Sequence, residues 1–427
     1  MRTMPSSFGA HDRRCGTNCR HNRVGVGRRA LSARIDWATR CTGRKCLRHE
    51  GLGGTSLTSG NVWTPVDDCG LEGQSPDAPR SVRDLAGRSW TIAVPRGQGV
   101  ELGALESADL AYAAHRLATQ HRELPGIDDH RFLVEVEVAI RRACPDLVAA
   151  LVGFRLAGTR DGIMILRGLP VDEPLPSTPE RGAFHGAWHE LSRSTVVQLM
   201  VMSVLGDVIA YADEKDGRLI QDISPVPGAE SRQENTGSCL LELHTEDGFH
   251  PHKPDFISLL CLRADHERKA MTVACGIRSV VSELSPDHVE TLRQPLFRIR
   301  LSSSFVGTDV QSYSAPLAVL TGCPSDPDLC ADFHAMEPMT DEAAAAFESL
   351  REAMRTSLVG VVLQPGDMLI IDNRKALHGR TGFAPRYDGQ DRWLRRCFAV
   401  ADLRASNAHR FPDSRVHRPL TGAASAT

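Results

Sequence analysis

The alternation of apolar and polar positions divides the chain into stretches of different texture. Before residue 86 the sequence is rich in Arg, Gly, Ser and Cys and sustains no helical or strand period. From Ser89 the pattern becomes globular. Trp90-Thr91-Ile92-Ala93-Val94 predicts a short strand, Ala108 to His121 an amphipathic helix, and Phe132 to Ala150 a second helix. Gly162 to Gly168 predicts a buried strand closed by a turn, and Thr195 to Leu205 an apolar helix. From Ser238 onward, short apolar runs separated by turn residues predict a β core. One helix interrupts it: Thr340 is placed to cap, Asp341 and Glu342 suit the first turn, and Ala343 to Met354 continue it. Val359 to Leu363, a Pro365-Gly366-Asp367 turn and Met368 to Asp372 then predict a hairpin leading to His378.

Composition narrows the class. With 427 residues and 46.6 kDa the chain can bury a large core. A net charge of -3 and a pI near 6.6 give no general pull toward nucleic acid or anionic membranes. No apolar run approaches the roughly 18 to 20 residues of a membrane span, so the chain reads as soluble. Met1 to Arg14 lacks the apolar centre of a secretory signal. The twelve cysteines are scattered rather than set in a disulfide framework, which points to a reducing cytoplasm. Cys239 and Cys261 read as core packing. Cys15, Cys19, His21, Cys41, Cys46 and His49 match no standard zinc-finger spacing. Residues 1–85 are therefore expected to be a disordered extension, or the product of a start assigned too far upstream, and 86–427 a single domain.

Candidate chemistry concentrates in Leu241-Glu242-Leu243-His244-Thr245-Glu246-Asp247-Gly248. On a strand, residues two apart share a face, so His244 and Glu246 can reach one point. His378, near the end of a later strand, can supply a third ligand. Two imidazoles and one carboxylate on one face leave coordination positions open, the arrangement used by non-haem Fe(II). Arg392 follows His378 by 14 residues. Its guanidinium can hold a distal carboxylate through a two-donor fork, and Thr272 can add a hydroxyl. His250 and His252 are expected at the rim or in structural roles, and Arg395, alternating with Arg396, is expected to face solvent.

His244-Thr245-Glu246, Pro365-Gly366-Asp367, Asp372-Asn373, His378-Gly379-Arg380 and Arg392-Trp393-Leu394-Arg395-Arg396 resemble the clavaminate synthase-like branch of the Fe(II)/2-oxoglutarate oxygenases. The resemblance extends over roughly Ser89 to Val400 and is strongest toward hydroxylases of free asparagine, arginine and lysine. It implies a mixed α+β fold with a distorted double-stranded β-helix (jelly-roll) core and flanking helices. It implies that His244, Glu246 and His378 hold Fe(II) and that Arg392 holds 2-oxoglutarate, beside the hydroxyl expected from Thr272, with O2 as the second cosubstrate. Glu214 matches the position that receives the substrate ammonium. Asn235 and Arg396 match groups at the substrate backbone, Arg396 facing its carboxylate, and Asp332 matches a carboxylate that receives the side chain.

Arginine hydroxylases of this group tend to show Asp-x-Asp where this chain has Asp332-Phe333-His334. One carboxylate and an imidazole suit a guanidinium less well than two carboxylates do. A buried Asp332 would need a cation or amide from its substrate, which places lysine and asparagine ahead of arginine. The implied reaction is hydroxylation at C3 with release of succinate and CO2. Desaturation or ring formation by the same centre, a non-catalytic cupin-like binder and a zinc hydrolase are the alternatives.

Overall fold

The computed structural model describes residues 80–83, 89–95, 97–123, 126–180, 191–306 and 312–420. The six cysteine and histidine positions between 15 and 49 lie outside the described residues. One paired strand falls inside the expected extension: β1 (Arg80–Arg83) is antiparallel to β2 (Ser89–Ile92), so regular structure starts before residue 86.

Helices come first. α1 (Ala104–Gln120) is followed by α2 (His130–Ala143), whose Asp129 cap accepts a bond of 2.8 Å from the Phe132 amide. The single helix expected over Phe132 to Ala150 is in fact two. The backbone breaks at Cys144 because Pro145 has no N–H to continue the ladder, and Pro145 instead opens α3 (Pro145–Ala157). Helix Arg193–Leu205, capped by Ser192, is buried on nearly every face. Its all-round apolar sequence has that cause: it lies under α1 to α3 and against the large sheet. It stops at Gly206, where a Cβ would stand 2.3 Å from the Val400 carbonyl oxygen.

The strands form two main sheets. The larger contains β3 (Gly99–Glu101), β4 (Ile163–Arg167), β5 (Asp207–Tyr211), β6 (Ile220–Ile223), β8 (Phe256–Arg263), β15 (Met368–Asp372), β17 (Trp393–Val400) and β18 (Val416–His417), in the order β18-β5-β17-β8-β15-β4-β3 with β6 also on β17. The smaller runs β14 (Val359–Val361), β9 (Thr272–Gly276), β16 (Ala376–Arg380), β7 (Leu241–His244). Two short ribbons, β10 (Phe297–Ile299) with β13 (Met336–Pro338) and β11 (Leu320–Cys323) with β12 (Asp326–Leu329), complete the β structure of the described residues. Ile165, Ile257, Leu259 and Phe398 of the larger sheet share a buried cluster with Ala274, Val359 and Val361 of the smaller. Helix Asp341–Thr356 covers the smaller sheet's outer side, its Thr340 hydroxyl accepting from the Ala343 amide at 3.1 Å as expected.

The expected hairpin does not form. β14 pairs with β9, whereas β15 pairs with β4 and β8, so Pro365-Gly366-Asp367 carries the chain from one sheet to the other. Both segments are continuous apolar runs, which suits strands buried on two faces rather than a ribbon with a wet side. Arg395 also departs from expectation, being fully buried. The outer face of β17 is covered by helix Arg193–Leu205, and Arg395 Nη1 donates to the hydroxyls of Ser192, Ser194 and Thr195 at 2.7 to 3.0 Å. Cys261 lies in the core as expected, but Cys239 is half-buried at its edge.

His250 and His252 have structural surroundings. The His250 ring lies 4.5 Å from Tyr211 and 5.7 Å from His417, centre to centre. Burial, then His417 and His252, pull the His250 imidazole down to about 3, and burial pulls His417 down to about 4. Both lie below the roughly 6.5 of an unfolded histidine, so folding favours the neutral rings. The stability they contribute is complete above about pH 6.5 and is lost as pH falls from there toward 4. Differential scanning calorimetry should therefore show Tm falling between about pH 6.5 and pH 4.5, with a shallower slope for His417→Phe.

Candidate active site

The two sheets position the candidate groups from opposite sides. His244 ends β7 and is the direct cross-strand partner of His378 on β16, which brings the rings to 4.4 Å. The strand stops at His244, so Glu246 reaches the same point from the following turn rather than from the strand itself. That turn is tightly held. Asn373 accepts from the Glu246 amide at 2.9 Å and donates to the Glu246 and Pro254 carbonyls, while the Thr245 amide donates to Ala331 O at 2.7 Å. Asn373 is fully buried. Of the Asp372-Asn373 pair, it is the Asn373 amide that fixes the ligand loop.

One ligand atom from each of His244, Glu246 and His378 lies within 4.8 Å of the others. Glu246 Oε2 faces His378 Nε2 at 3.3 Å and His244 Nε2 at 4.0 Å. The His244 Nδ1 is 2.9 Å from the Glu242 carbonyl, which turns Nε2 toward the shared point. The other carboxylate oxygen, Oε1, accepts from Arg396 Nη1 at 2.6 Å. Glu246 thus has one oxygen held by the protein and one free for a metal. Burial alone would raise its carboxyl, but Arg396, His378 and His244 reverse that and hold it far below the ordinary range. His378 is lowered by burial and by His244, so its ring is suited to neutral ligation. The donor set fits a divalent ion with positions left open.

A cavity of about 600 Å3 contains this point, and all nine expected site residues line it. Arg392, just before β17, donates from Nη2 to Thr272 Oγ1 on β9 at 3.4 Å, and both are buried. Among the described residues no carboxylate lies within ion-pair distance of Arg392. Arg396 is likewise buried; its Nη2 bonds Glu214 Oε1, its Nε donates to Gln221 Oε1 at 3.0 Å, and Asn235 Nδ2 donates to Glu214 at 3.3 Å. Against the effect of burial, Glu214 and Glu246 push the Arg396 guanidinium up. Glu214 Oε2 is buried without a partner.

Gln221 was not singled out by the sequence. Its signal was the pair Gln221-Asp222 between two isoleucines, polar positions in a strand whose neighbours are all buried. The register explains both: Arg396 opposes Gln221 on the cavity side, and Arg395 opposes Asp222 on the helix side. Asp332 differs from expectation. It is half-buried, and its Oδ1 already accepts from the His334 and Ala335 amides at 2.8 and 2.7 Å. Its charge is partly compensated before any substrate arrives. Arg300, also at the cavity, lies 3.4 Å from His334 Nε2.

A second group, His266, Asp388 and Asp391, also clusters within 4.8 Å. His266 contacts Asp388 at 3.1 Å, and Asp391 accepts the Arg386 amide at 2.7 Å, so these groups satisfy one another.

Residues 154–398 match the family described as taurine catabolism dioxygenase TauD, TfdA family. The chain is 44% identical over 304 residues to the L-asparagine oxygenase of Streptomyces coelicolor, spanning 71% of this chain and 90% of that protein. It is 35% identical to clavaminate synthase 2 of Streptomyces clavuligerus, over 67% of this chain and 88% of that one. A solved structure of asparagine oxygenase in complex with Fe(II), 2S,3S-3-hydroxyasparagine and succinate superposes with a TM-score of 0.71 at 41% identity, covering 75% of this chain and 99% of that chain. These matches favour an oxygenase over the binding-protein and hydrolase alternatives. The chain belongs to the TauD, TfdA family of dioxygenases.

Proposed function

We propose that this protein is an Fe(II)- and 2-oxoglutarate-dependent hydroxylase of free L-asparagine, acting at C3. The observation that carries the oxygenase reading is the convergence of His244, Glu246 and His378 beside a buried Arg392–Thr272 pair that has no acidic partner among the described residues. On this reading the two sheets form the distorted double-stranded β-helix, and the catalytic unit begins near Arg80.

His244, Glu246 and His378 would hold the iron. Bound iron supplies O2 activation coupled to decarboxylation of 2-oxoglutarate, yielding succinate, CO2 and a hydroxylated substrate. The protein's own part is positioning and exclusion of water. Arg392 and Thr272 receive the distal carboxylate of 2-oxoglutarate. Glu214 and Asn235 receive the substrate ammonium, for which the unpartnered Glu214 Oε2 is available. Arg396 receives its carboxylate. With both α-carbon substituents clamped, C3 would be the carbon presented to the face formed by His244, Glu246 and His378.

Asparagine is preferred to lysine because of Arg300. A lysine ammonium near Asp332 would approach a second cation on the same wall, whereas a neutral amide can donate to Asp332 and meets no repulsion. The identity to an asparagine oxygenase supports the same choice. The test is a panel of free amino acids with Fe(II) and 2-oxoglutarate, read by mass spectrometry for one added oxygen. Exclusive turnover of lysine would replace asparagine, and turnover of none would reject the assignment. In Asp332→Asn, an amide substrate should lose about 1 to 1.5 kcal/mol in kcat/KM, roughly ten-fold, since Asn still accepts a hydrogen bond. A cationic substrate would lose several times more free energy, so steady-state kinetics on this variant identify the side chain read there.

A further inference from the structure

Thr272 and Arg380 are direct cross-strand partners between β9 and β16, and Arg380 stands two residues beyond His378 on the same strand. All three side chains therefore project to one face, and that face lines the cavity. Arg380 is only 5% exposed. Its Nη2 donates to the Cys239 carbonyl at 3.0 Å, while its Nε is buried without a partner. Its guanidinium lies 5.1 Å from the Phe383 ring, and that of Arg392 lies 5.8 Å from the same ring. Two buried guanidinium groups thus share one end of the cavity, and among the described residues neither has a carboxylate within ion-pair distance.

We propose that Arg380 is a specificity-determining residue that makes the cosubstrate pocket select a 2-oxo dicarboxylic acid over a 2-oxo monocarboxylic acid. The proposal rests on the Fe(II)/2-oxoglutarate reading above and deepens it. Two residues of strand advance about 6.8 Å, comparable to the reach of a four-bond carbon chain. A ligand held at one end beside His378 therefore presents its other end beside Arg380, Thr272 and Arg392. Buried like charges without a counter-ion are costly, and an anionic ligand terminus relieves both at once. A ligand ending in a methyl group leaves both guanidiniums unpaired. The Cys239 contact uses one donor of Arg380; it accounts neither for a cation at this position nor for the unused Nε. A residue serving only to hold Cys239 would not discriminate between ligand termini.

The test uses the full chain loaded with Mn(II) and calorimetric titration of 2-oxoglutarate and of 2-oxopentanoate, which has five carbons but no distal carboxylate. Arg380→Gln should weaken 2-oxoglutarate by at least about ten-fold, the scale of one lost charge-assisted contact, and change 2-oxopentanoate by less than about two-fold. Arg380→Lys should recover at least half of that selectivity on a logarithmic scale, since it restores the charge without the fork. Thermal melting accompanies each titration, and if the Gln variant does not fold, the ratio of the two affinities in the Lys variant decides. Equal weakening of both acids, or no change in either, would overturn the proposal and leave Arg380 as a tether of Cys239. Failure of the wild type to bind 2-oxoglutarate would reject the oxygenase reading itself, and the proposal with it.

Discussion

His244→Ala, Glu246→Ala and His378→Ala should each reduce turnover by at least about three orders of magnitude, because a three-residue metal face has no spare ligand. Metal analysis should show the loss as reduced iron retention rather than unfolding. The three variants should not be equivalent. His378 is nearly fully buried between β9 and β7, so its removal leaves a cavity and should lower Tm. His244 is half-buried at a strand end, and its removal should affect metal far more than stability. Glu246→Ala removes a ligand and also leaves Arg396 Nη1 without its 2.6 Å partner. Wild-type metal content and activity in any one variant would remove that residue from the site.

Much of this site was legible because its chemistry is carried by residue types and short spacings. His-x-Glu, a later histidine and an arginine 14 residues on are visible without coordinates. What escaped was set by partners distant in sequence. Gln221 and Asp222 look like an ordinary polar pair until the register places them against Arg396 and Arg395. The burial of Arg395 depends on a helix some 200 residues earlier whose cap hydroxyls happen to face β17. Val359 to Asp372 carries a good hairpin signature, yet local pattern cannot say that β9 takes the first half and that β4 and β8 take the second. Helix caps at Asp129 and Thr340 are local features of the chain, and so is the break before Pro145.

Arg396→Met should combine a large loss of activity with a loss of stability, and the two can be separated. Arg396 binds Glu214, Gln221 and Glu246 together from a site that is about 4% exposed. Removing the cation leaves two carboxylates buried near each other, and breaking such a buried pair costs about 3 to 5 kcal/mol. In kcat/KM the loss should exceed about a thousand-fold, since the substrate carboxylate loses its receptor and Glu246 its anchor. Arg396→Lys should restore only part of this, because one ammonium cannot reproduce a planar fork spanning three acceptors. Glu214→Gln in the Met background removes one of the stranded charges and should recover stability without recovering turnover, a coupling that a double-mutant cycle on Tm and kcat/KM measures directly. Arg396 is also the largest influence opposing burial at Glu246. Without it the carboxyl rises, protons compete with the metal, and iron retention should become steeply pH-dependent between about pH 5 and pH 7, falling as pH falls. The wild type, with Glu246 held ionised, should lose metal less steeply across that range. Identical metal retention profiles for the two proteins would show that Glu246 does not depend on Arg396 for its charge.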